Sequence, residues 1–441
     1  MSSLLRFALL LTKTVVEGVR IENEKAVVSV RPYRSEQRRC PVCGRKCKAY
    51  DARGVPRRWR ALDLAASMCF LEYRVARVRC PEHGAHAERV PWARHKARFT
   101  RSFEDRVAWM AAHCTMSAAA TECRIEWKSV GGVCSRVYGD LLARRGQGRF
   151  GGLARIGIDE TSYKKGHRYI MVVVDHDTGR LVWAGEGHGR ETLKGFFDRL
   201  TREQRRAIEV VTADGAKWIK ELVKGYCPHA RWVMDPFHVV SWMNDAVDGL
   251  RCEEWQRAKN AARAALPKRP GPGRPRKGEE SPPEAKALKE RADAIKGSKF
   301  PLVKGKESLT DAQRAKLEDL KRTGSRLFRA WELKEDLRAV FMAADAAEAK
   351  VLLDDWIRRA GRCRIERVVE VEKKVRCRRE DIVRAVEFGI SNARVEAVNN
   401  KIKVTVRMGY GFRNVDNMIS LLMLRCSNVK PQLPGRAQMA A

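Results

Sequence analysis

The stretch ARIGIDETSYKKGHRYIMVVVDHDTGRLVWAG, residues 154–185, contains three apolar runs that short polar segments separate. The first run ends in Asp159 and Glu160, and the second ends in Asp175. The segment Asp177-Thr178-Gly179, which is typical of a turn, stands before the third run. This pattern predicts three antiparallel strands.

Downstream of this meander, strand-like and helix-like patterns alternate. A helical pattern over 191–200 precedes the apolar run 208–212, which leads into Ala213-Asp214-Gly215. A second helical pattern covers 216–224, and the apolar run 230–234 ends in Asp235, after which Pro236 opens another helix. The alternation predicts an α/β fold in which helices cover both faces of a mixed sheet.

Two carboxylates, Asp159 and Asp214, stand where we expect the first and fourth strands to leave the sheet. They converge if those strands are neighbours. Carboxylate oxygens suit Mg²⁺ or Mn²⁺, and paired ions of this kind can activate an attacking hydroxyl and stabilise a leaving oxygen. The alternative is that each aspartate only caps the turn or helix that follows it.

Asp235 and His238 are spaced so that they could bind a transition metal. However, an aspartate followed by proline is also the usual start of a helix, with the aspartate as N-cap. We favour the cap, and a supporting role near the site is the alternative.

The composition indicates a polyanionic partner. The 441 residues include 89 Lys and Arg against 54 Asp and Glu, which gives a net charge of +35 and a pI of about 10.1. Hydrophobic residues make up 44%, which excludes wholesale disorder, and no apolar run is long enough to span a membrane. DNA or RNA is the expected partner. Thirteen cysteines, an odd number, favour reduced thiols in a cytoplasmic protein.

Four potential zinc ligands occur in two short turns, Cys40-Pro-Val-Cys43-Gly and Cys80-Pro-Glu-His83-Gly. A spacing of two residues lets each turn present two side chains to one tetrahedral ion. We therefore expect Zn²⁺ to be held by Cys40, Cys43, Cys80 and His83. The nearby Cys47 and His86 leave the ligand set open, and two unrelated turns with buried thiols remain the alternative.

A helix-turn-helix is expected after the zinc turns. The capping-box-like Ser102 precedes one helical pattern, Ser117 can cap a short helix that ends at Cys123, and residues 127–137 form the next helix. Gly131 and Gly132 weaken that helix, so a packing module without groove contact is the alternative. The second helix would place four side chains in or beside a major groove: Trp127, Lys128, Ser129 and Arg136.

Residues 256–309 are rich in Pro, Lys and Ala, and helical patterns follow over 310–360. The segment 270–277, PGPGRPRK, carries Arg274 and Arg276 and resembles arms that lie in minor grooves. A solvated linker explains it equally well. We expect an all-helical insertion here.

The segment 391–403, SNARVEAVNNKIK, places Glu396, Asn399, Asn400 and Lys403 on one helix face. A carboxylate, two amides and an ammonium suit a face that binds metal and phosphate, whereas an ordinary exposed face is the alternative. Beyond it, Arg407 and Arg413 flank aromatic residues and could contact a nucleic-acid backbone.

The order of these motifs resembles that of bacterial insertion-sequence transposases of the ISL-three type, a DDE group. The resemblance covers most of the chain and rests on CPVCG with CPEH, GIDETSYK, TADG with MDPFHVV, and SNARVEAVNNKIK with YGFRN. It implies a ribonuclease-H-like core with an inserted helical domain, and an acidic triad of Asp159, Asp214 and Glu396. The ribbons of the family often use four cysteines, whereas His83 ends the second pair here.

We expect four regions: a zinc-ribbon segment at 1–98, a helix-turn-helix domain at 99–150, the catalytic core at 151–255 and 378–430, and a helical insertion at 256–377. The resemblance implies an enzyme that binds the terminal inverted repeats of its element, then cleaves and joins double-stranded DNA with Mg²⁺ or Mn²⁺. A homodimer or higher oligomer on DNA in the bacterial cytoplasm, associated with the nucleoid, is the expected form. The alternative is a transposase-derived DNA-binding protein whose catalytic centre is inactive.

Overall fold

The computed structural model describes residues 2–51, 54, 56–266, 282–390 and 393–436. Arg274 and Arg276 lie outside the described residues, so their expected contact with DNA stays a prediction. None of the helices in the described ranges is both long and apolar enough to cross a membrane. All thirteen cysteines are free thiols.

The N-terminal region is built from two small sheets. Its elements are α1 (Ser2–Ala8), β1 (Thr14–Glu22), β2 (Lys25–Pro32), β3 (Lys48–Asp51), β4 (Arg57–Arg60), β5 (Cys69–Tyr73), β6 (Arg77–Cys80) and β7 (Gly84–Ala87). One sheet has the order β1-β2-β5-β4, with Trp59, Leu71 and Trp92 in its core. The other has the order β3-β6-β7, and the second ligand turn, from Cys80 to His83, joins β6 to β7.

Three helices follow, α2 (Arg101–His113), α3 (Met116–Cys123) and α4 (Trp127–Arg145). The expected caps were wrong by two residues. Thr100 caps α2 through the amide of Phe103, and Thr115 caps α3 through the amide of Ala118, whereas Ser102 and Ser117 lie inside the helices. Both threonines have extended backbones, as an N-cap requires, and the buried Met116 already belongs to α3.

A five-stranded sheet forms the centre of the molecule. Its elements are β8 (Arg155–Lys164), β9 (Arg168–Asp175), β10 (Leu181–Glu186), α5 (Arg190–Phe197), α6 (Arg202–Ala207), β11 (Val210–Ala213), α7 (Lys217–Tyr226) and β12 (Arg231–Met234). The strand order is β10-β9-β8-β11-β12. The first three strands are antiparallel, as expected, whereas β11 runs parallel to both β8 and β12.

A helical bundle with its own core follows the sheet. It comprises α8 (Pro236–Ala264), α9 (Pro283–Lys296), α10 (Lys299–Val303), α11 (Asp311–Arg322), α12 (Arg326–Val340), α13 (Ala346–Arg362), α14 (Glu366–Arg376) and α15 (Arg379–Glu387). The fully buried Trp356 donates its indole N–H to the carbonyl of Leu333 in this core. The helix α8 is continuous through residue 256, so the boundary expected there falls inside a helix.

The last two helices return to the sheet. They are α16 (Ala393–Met408) and α17 (Val415–Cys426). Met418 and Leu422 of α17 pack with the sheet and α16, while Leu421 and Leu424 pack in the core of α2, α3 and α4. One helix therefore belongs to two cores.

Candidate catalytic and metal sites

Three aspartates stand side by side across the parallel part of the sheet. In the ladder between β11 and β8, Thr212 lies opposite Gly157, so the same register carried forward two residues puts Asp214 beside Asp159. In the next ladder Ala213 lies opposite Met234, which puts Asp235 beside Asp214. Because parallel strands end at the same edge, the three carboxylates meet where α/β sheets commonly bind ligands.

Asp159 does not end its strand, and in this respect the expectation was wrong. Strand β8 continues to Lys164 because β9 pairs with it antiparallel over its whole length, up to Arg168. What ends near Asp159 is the parallel partner, β11. The aspartate is thus held on a rigid strand and borders the gap where β11 stops.

Burial and neighbouring negative charge raise the pKa of two of these aspartates, Asp159 and Asp235. Burial raises the pKa of Asp159, and the charge of Asp214 raises it further. Burial also raises the pKa of Asp235 to about 6, with additional contributions from Asp159 and Asp214. His238, whose Nε2 lies 3.7 Å from Asp235 Oδ2, acts in the opposite direction. Such a group of acids is stabilised by a cation.

Asn399 faces this group from α16. Its Nδ2 donates a hydrogen bond of 2.5 Å to Asp159 Oδ2, while its Oδ1 is buried without a hydrogen-bond partner among the described residues. Valines and an isoleucine on the same side of α16 hold the helix on the sheet. Only 8% of Asn399 is exposed, so its position favours a role beside Asp159 over a contact with DNA phosphate, which the polar face predicted from sequence would allow.

Glu396 lies on the exposed side of the first turn of α16. The polar face expected on this helix is therefore divided, since Asn399 points to the sheet while Glu396 and Lys403 are exposed. The structure brings Asp159 and Asp214 together with Asp235, and it places Glu396 one helical turn from Asn399.

Two further side chains at this edge were not identified from sequence as site residues in their own right. Asp235 caps α8 through the amide of Phe237 at 2.9 Å, which agrees with the favoured expectation, yet it also lies among the acids. Arg378 donates to the carbonyl of Gly215 at 3.0 Å and lies over the ring of Trp242. The sequence offers no local signal for Arg378, because 163 residues separate it from Gly215.

The donor set at the sheet edge fits a hard divalent cation. Carboxylate oxygens of Asp159 and Asp214 and the unpartnered Oδ1 of Asn399 are ligands that Mg²⁺ and Mn²⁺ accept. A bound cation would also offset the mutual repulsion of the acids.

The expected zinc ligands converge. One ligand atom from each of Cys40, Cys43, Cys80 and His83 lies within 4.8 Å of the others. The Sγ atoms of Cys43 and Cys80 are 3.7 Å apart, and Cys80 Sγ lies 3.5 Å from His83 Nδ1. The contact with His83 is the largest influence that lowers the pKa of Cys80, to about 6.

The two residues that left the zinc ligand set open make other contacts, although burial, and after it the nearby thiol of Cys80, raises the pKa of Cys47. Cys47 Sγ donates to the carbonyl of Arg45 at 3.4 Å, and His86 Nε2 lies 2.5 Å from the carbonyl oxygen of His83. Neither belongs to the cluster of four ligand atoms.

The side chains expected to contact DNA differ in their exposure and in the ion pairs that they already form. Trp127 and Lys128 are exposed at the start of α4, where Lys128 pairs with Glu126 at 2.9 Å, and Ser129 is half-buried. Arg136 is bound to the buried Glu104, so its charge is already engaged inside the protein. The cations that follow on and after α16 are exposed: Lys403, Arg407 and Arg413.

Comparison with known families agrees with this architecture. A family model of the ISL3 DDE type, described as transposase, matches residues 156–422, which include the sheet, the helical bundle and most of α17. The chain belongs to the ISL3 family of transposases. A model described as the helix-turn-helix domain of that transposase family matches 88–138. A third, described as the zinc-finger of transposase IS204/IS1001/IS1096/IS1165, matches 36–83.

Relatives of this transposase extend over nearly its whole length. The transposase for insertion sequence element IS1557 of Mycobacterium tuberculosis, found in strains CDC 1551 and H37Rv, is 43% identical over 430 residues, covering 96% of this chain and 95% of the relative. The transposase for insertion sequence element IS1001 of Bordetella parapertussis is 24% identical over 401 residues, covering 90% and 89%. The resemblance inferred from the motifs is confirmed.

Proposed function

We propose that this transposase binds the terminal inverted repeats of its own insertion sequence and catalyses cleavage and strand transfer at the edge of the five-stranded sheet. The observation that carries the proposal is the alignment of Asp159 and Asp214 across neighbouring parallel strands. Three antiparallel strands followed by two parallel ones, with a helix returning to the sheet, support a ribonuclease-H-like core.

Asp159, Asp214 and Glu396 are the proposed ligands of Mg²⁺ or Mn²⁺. The metal, when bound, supplies an activated attacking oxygen and neutralises charge on the phosphate. Glu396 is included because it is exposed and lies one turn from Asn399, whose amide touches Asp159. Asp235 stays a supporting residue, since its carboxylate already accepts a backbone amide and faces His238.

The residues of the chain position the reacting groups. Asn399 fixes the orientation of the Asp159 carboxylate, and Arg378 fixes the backbone just after Asp214. Lys403 and Arg407 are exposed on the same helix as Glu396, where they can hold DNA phosphates. We propose that no covalent protein–DNA intermediate forms, because a metal-activated oxygen makes a protein nucleophile unnecessary.

The N-terminal regions are the proposed readers of the DNA end. A structural Zn²⁺ at Cys40, Cys43, Cys80 and His83 has four protein ligands, so no position remains for a reactive water. The start of α4, with Trp127, Lys128 and Ser129, supplies the contacts to the bases. Assembly as a homodimer or higher oligomer on DNA, in the cytoplasm, completes the proposal.

Replacing Asp214 by Asn tests the catalytic part. We expect Asp214→Asn to abolish cleavage and joining of a duplex that carries the terminal repeat, while its affinity for that duplex changes by no more than a few-fold. Glu290→Gln, an exposed acid on α9, is the matched control and keeps full activity. Cleavage that survives Asp214→Asn in Mg²⁺, or a trapped phosphoserine or phosphotyrosine adduct, would overturn the assignment.

A further inference from the structure

We infer that a cationic groove beside the helix-turn-helix holds the phosphate backbone of the DNA duplex. The cationic groove is defined here by Arg57, Arg58, Arg89, Lys96 and Arg98. The inference rests on the proposed function, which supplies the DNA. It adds a backbone-binding surface that adjoins the start of α4, where base reading is proposed.

Two neighbouring cavities form the groove. They measure about 1110 and 730 Å³ and share Arg58, Lys96 and Arg98 in their walls. The larger cavity extends to Arg89, near the zinc turns, whereas the smaller one extends to Lys128 at the start of α4. The shared residues make one continuous path from the ribbon to the helix-turn-helix.

The walls of the groove are strongly positive. Ten Lys and Arg side chains line the larger cavity against two carboxylates, and seven line the smaller one against one carboxylate. The two carboxylates of the larger cavity are already engaged. Glu88 accepts hydrogen bonds from Tyr73 and the amide of Ala76, and Asp140 is bound by Arg94 and Arg101. Ion pairs therefore compensate several of these cations, and the net positive charge of the groove comes from the cations that have no acidic partner among the described residues.

Four of the cations are available to a ligand. Arg57, Arg89, Lys96 and Arg98 are exposed, and none of them forms an ion pair with any residue that the structure describes. Arg58 differs from them, because it binds both Glu22 and Glu72. Like charges without acidic partners in a concave surface favour the binding of an anion.

The loop that carries Lys96 and Arg98 is held in place. The amide of Ala97 donates to the carbonyl of Arg94 at 3.1 Å, and the amide of Arg60 donates to the carbonyl of Arg98 at 3.0 Å. Lys96 has a φ of 60°, a conformation that a residue other than glycine keeps only when its surroundings impose it. The backbone that carries both cations is thus fixed beside the groove, which lowers the entropy lost on binding.

A duplex fits the groove better than a small anion does. A single phosphate could meet only part of the path, whereas successive phosphates of one strand could meet the cations in turn. The path also ends at Lys128, where α4 is expected to enter the major groove. Contacts to phosphates fix the position of a protein on DNA, and contacts to bases determine the sequence it prefers.

The test compares the full-length Lys96→Ala/Arg98→Ala protein with wild type in binding to a terminal-repeat duplex and to a scrambled duplex. Loss of two phosphate contacts should reduce the slope of log affinity against log salt concentration by about 2, since each contact contributes about 0.9. Affinity for both duplexes should fall by the same factor, which leaves the preference for the terminal repeat unchanged. The matched control, Lys286→Ala/Lys289→Ala, removes two exposed cations of α9 and should keep the wild-type slope.

A slope that stays at the wild-type value, or that falls equally in the control, overturns the inference. A lower preference for the terminal repeat overturns it too, because that would mean base reading by the loop. If the Lys96→Ala/Arg98→Ala protein melts at a lower temperature than wild type, the salt dependence is measured instead on Arg57→Gln/Arg89→Gln. This variant removes two cations of the groove that lie outside the loop. Failure of the wild-type protein to prefer its own ends would instead contradict the proposed function, and the salt slopes would still decide the role of the groove.

Discussion

At the scale of single residues, burial disfavours the charged forms of two side chains near the sheet, Asp235 and His176. It raises the pKa of Asp235 to about 6 and lowers the pKa of His176 to about 4. The histidine lies against Thr212, with its Nε2 2.6 Å from the hydroxyl oxygen. Its ring is enclosed, so a charge there would lack the water that stabilises it in the unfolded chain.

His176 predicts a loss of stability in mild acid. The unfolded chain binds a proton at this residue below about pH 6.5, whereas the folded chain does so only below about pH 4, so stability falls as the pH drops through this window. Between pH 7 and pH 5 the loss from this residue is about 2 kcal/mol. His176→Gln, which keeps an amide beside Thr212, should remove that part of the dependence in urea unfolding. An identical pH dependence in both proteins would contradict the prediction.

The zinc cluster predicts different outcomes for two neighbouring cysteines. Cys80→Ser should lose the bound zinc and lower the melting temperature, because a tetrahedral structural site contributes directly to folding. Cys47→Ser is the matched control and should keep both the zinc and the melting temperature, since Cys47 is not one of the four residues whose ligand atoms converge. Elemental analysis and thermal melting measure the two quantities. Full zinc content in the Cys80→Ser protein would show that the ligand set is wrong.

At the scale of elements, the two adjacent glycines of α4 have different surroundings. A Cβ added to Gly131 would lie 3.2 Å from Asn417 Nδ2 and 3.3 Å from Asn417 Cβ, which is closer than side chains normally pack. A Cβ at Gly132 would meet Arg136 at an ordinary 3.6 Å. The absence of a side chain at Gly131 therefore lets α17 approach α4. Close packing of the two helices explains why a glycine, which disfavours a helix, stands at this position.

Alanine substitutions at these positions should have unequal effects. Gly132→Ala should stabilise the protein by about 0.5–1 kcal/mol, because alanine favours the helix. Gly131→Ala gains the same propensity, but the clash with Asn417 should cancel it or make the change destabilising, as overpacking typically costs about 1–3 kcal/mol. Thermal unfolding of both variants and of Gly131→Ala/Asn417→Ala measures the difference. Equal stabilisation by the two alanines would refute the packing explanation.

At the scale of the whole molecule, α17 connects the helices α2, α3 and α4 to the five-stranded sheet. Leu421 and Leu424 are fully or almost fully buried among α2, α3 and α4. On the same helix, Arg425 donates to the carbonyl of Ala111 at 2.8 Å. A shift of the helix-turn-helix on DNA would therefore move a helix that also packs against the sheet.

This arrangement predicts that the N-terminal fragment 1–146 is incomplete. Each buried leucine contributes about 1.5–3 kcal/mol, so the fragment should gain stability when a peptide of residues 414–428 is added. We expect a rise of a few degrees in melting temperature at saturating peptide. A peptide with Leu421→Asp and Leu424→Asp is the control and should have no effect. If the native peptide leaves the melting temperature of the fragment unchanged, the core of the fragment is complete without α17.

Much of the fold follows from local sequence alone. Alternation and turn residues predicted the three-stranded meander, and Asp235-Pro236 predicted the start of α8, because these signals act between residues close in the chain. The zinc turns were found for the same reason. The caps of α2 and α3 were assigned two residues too late, since serine and threonine offer the same hydroxyl and only backbone geometry selects between them.

The arrangement of side chains in the candidate site depends on contacts between residues far apart in the sequence, which no local sequence pattern predicts. The sequence by itself identified Asp159 and Asp214 as acids that follow apolar runs, but only the parallel pairing of β11 with β8 and β12 put Asp214 between Asp159 and Asp235. Asn399 was expected on an exposed face with Glu396 because helical spacing alone groups them. Packing of α16 on the sheet turned Asn399 inward to Asp159 and left Glu396 exposed. Sequence determines which groups a segment offers, whereas strand pairing and helix packing decide which of them meet.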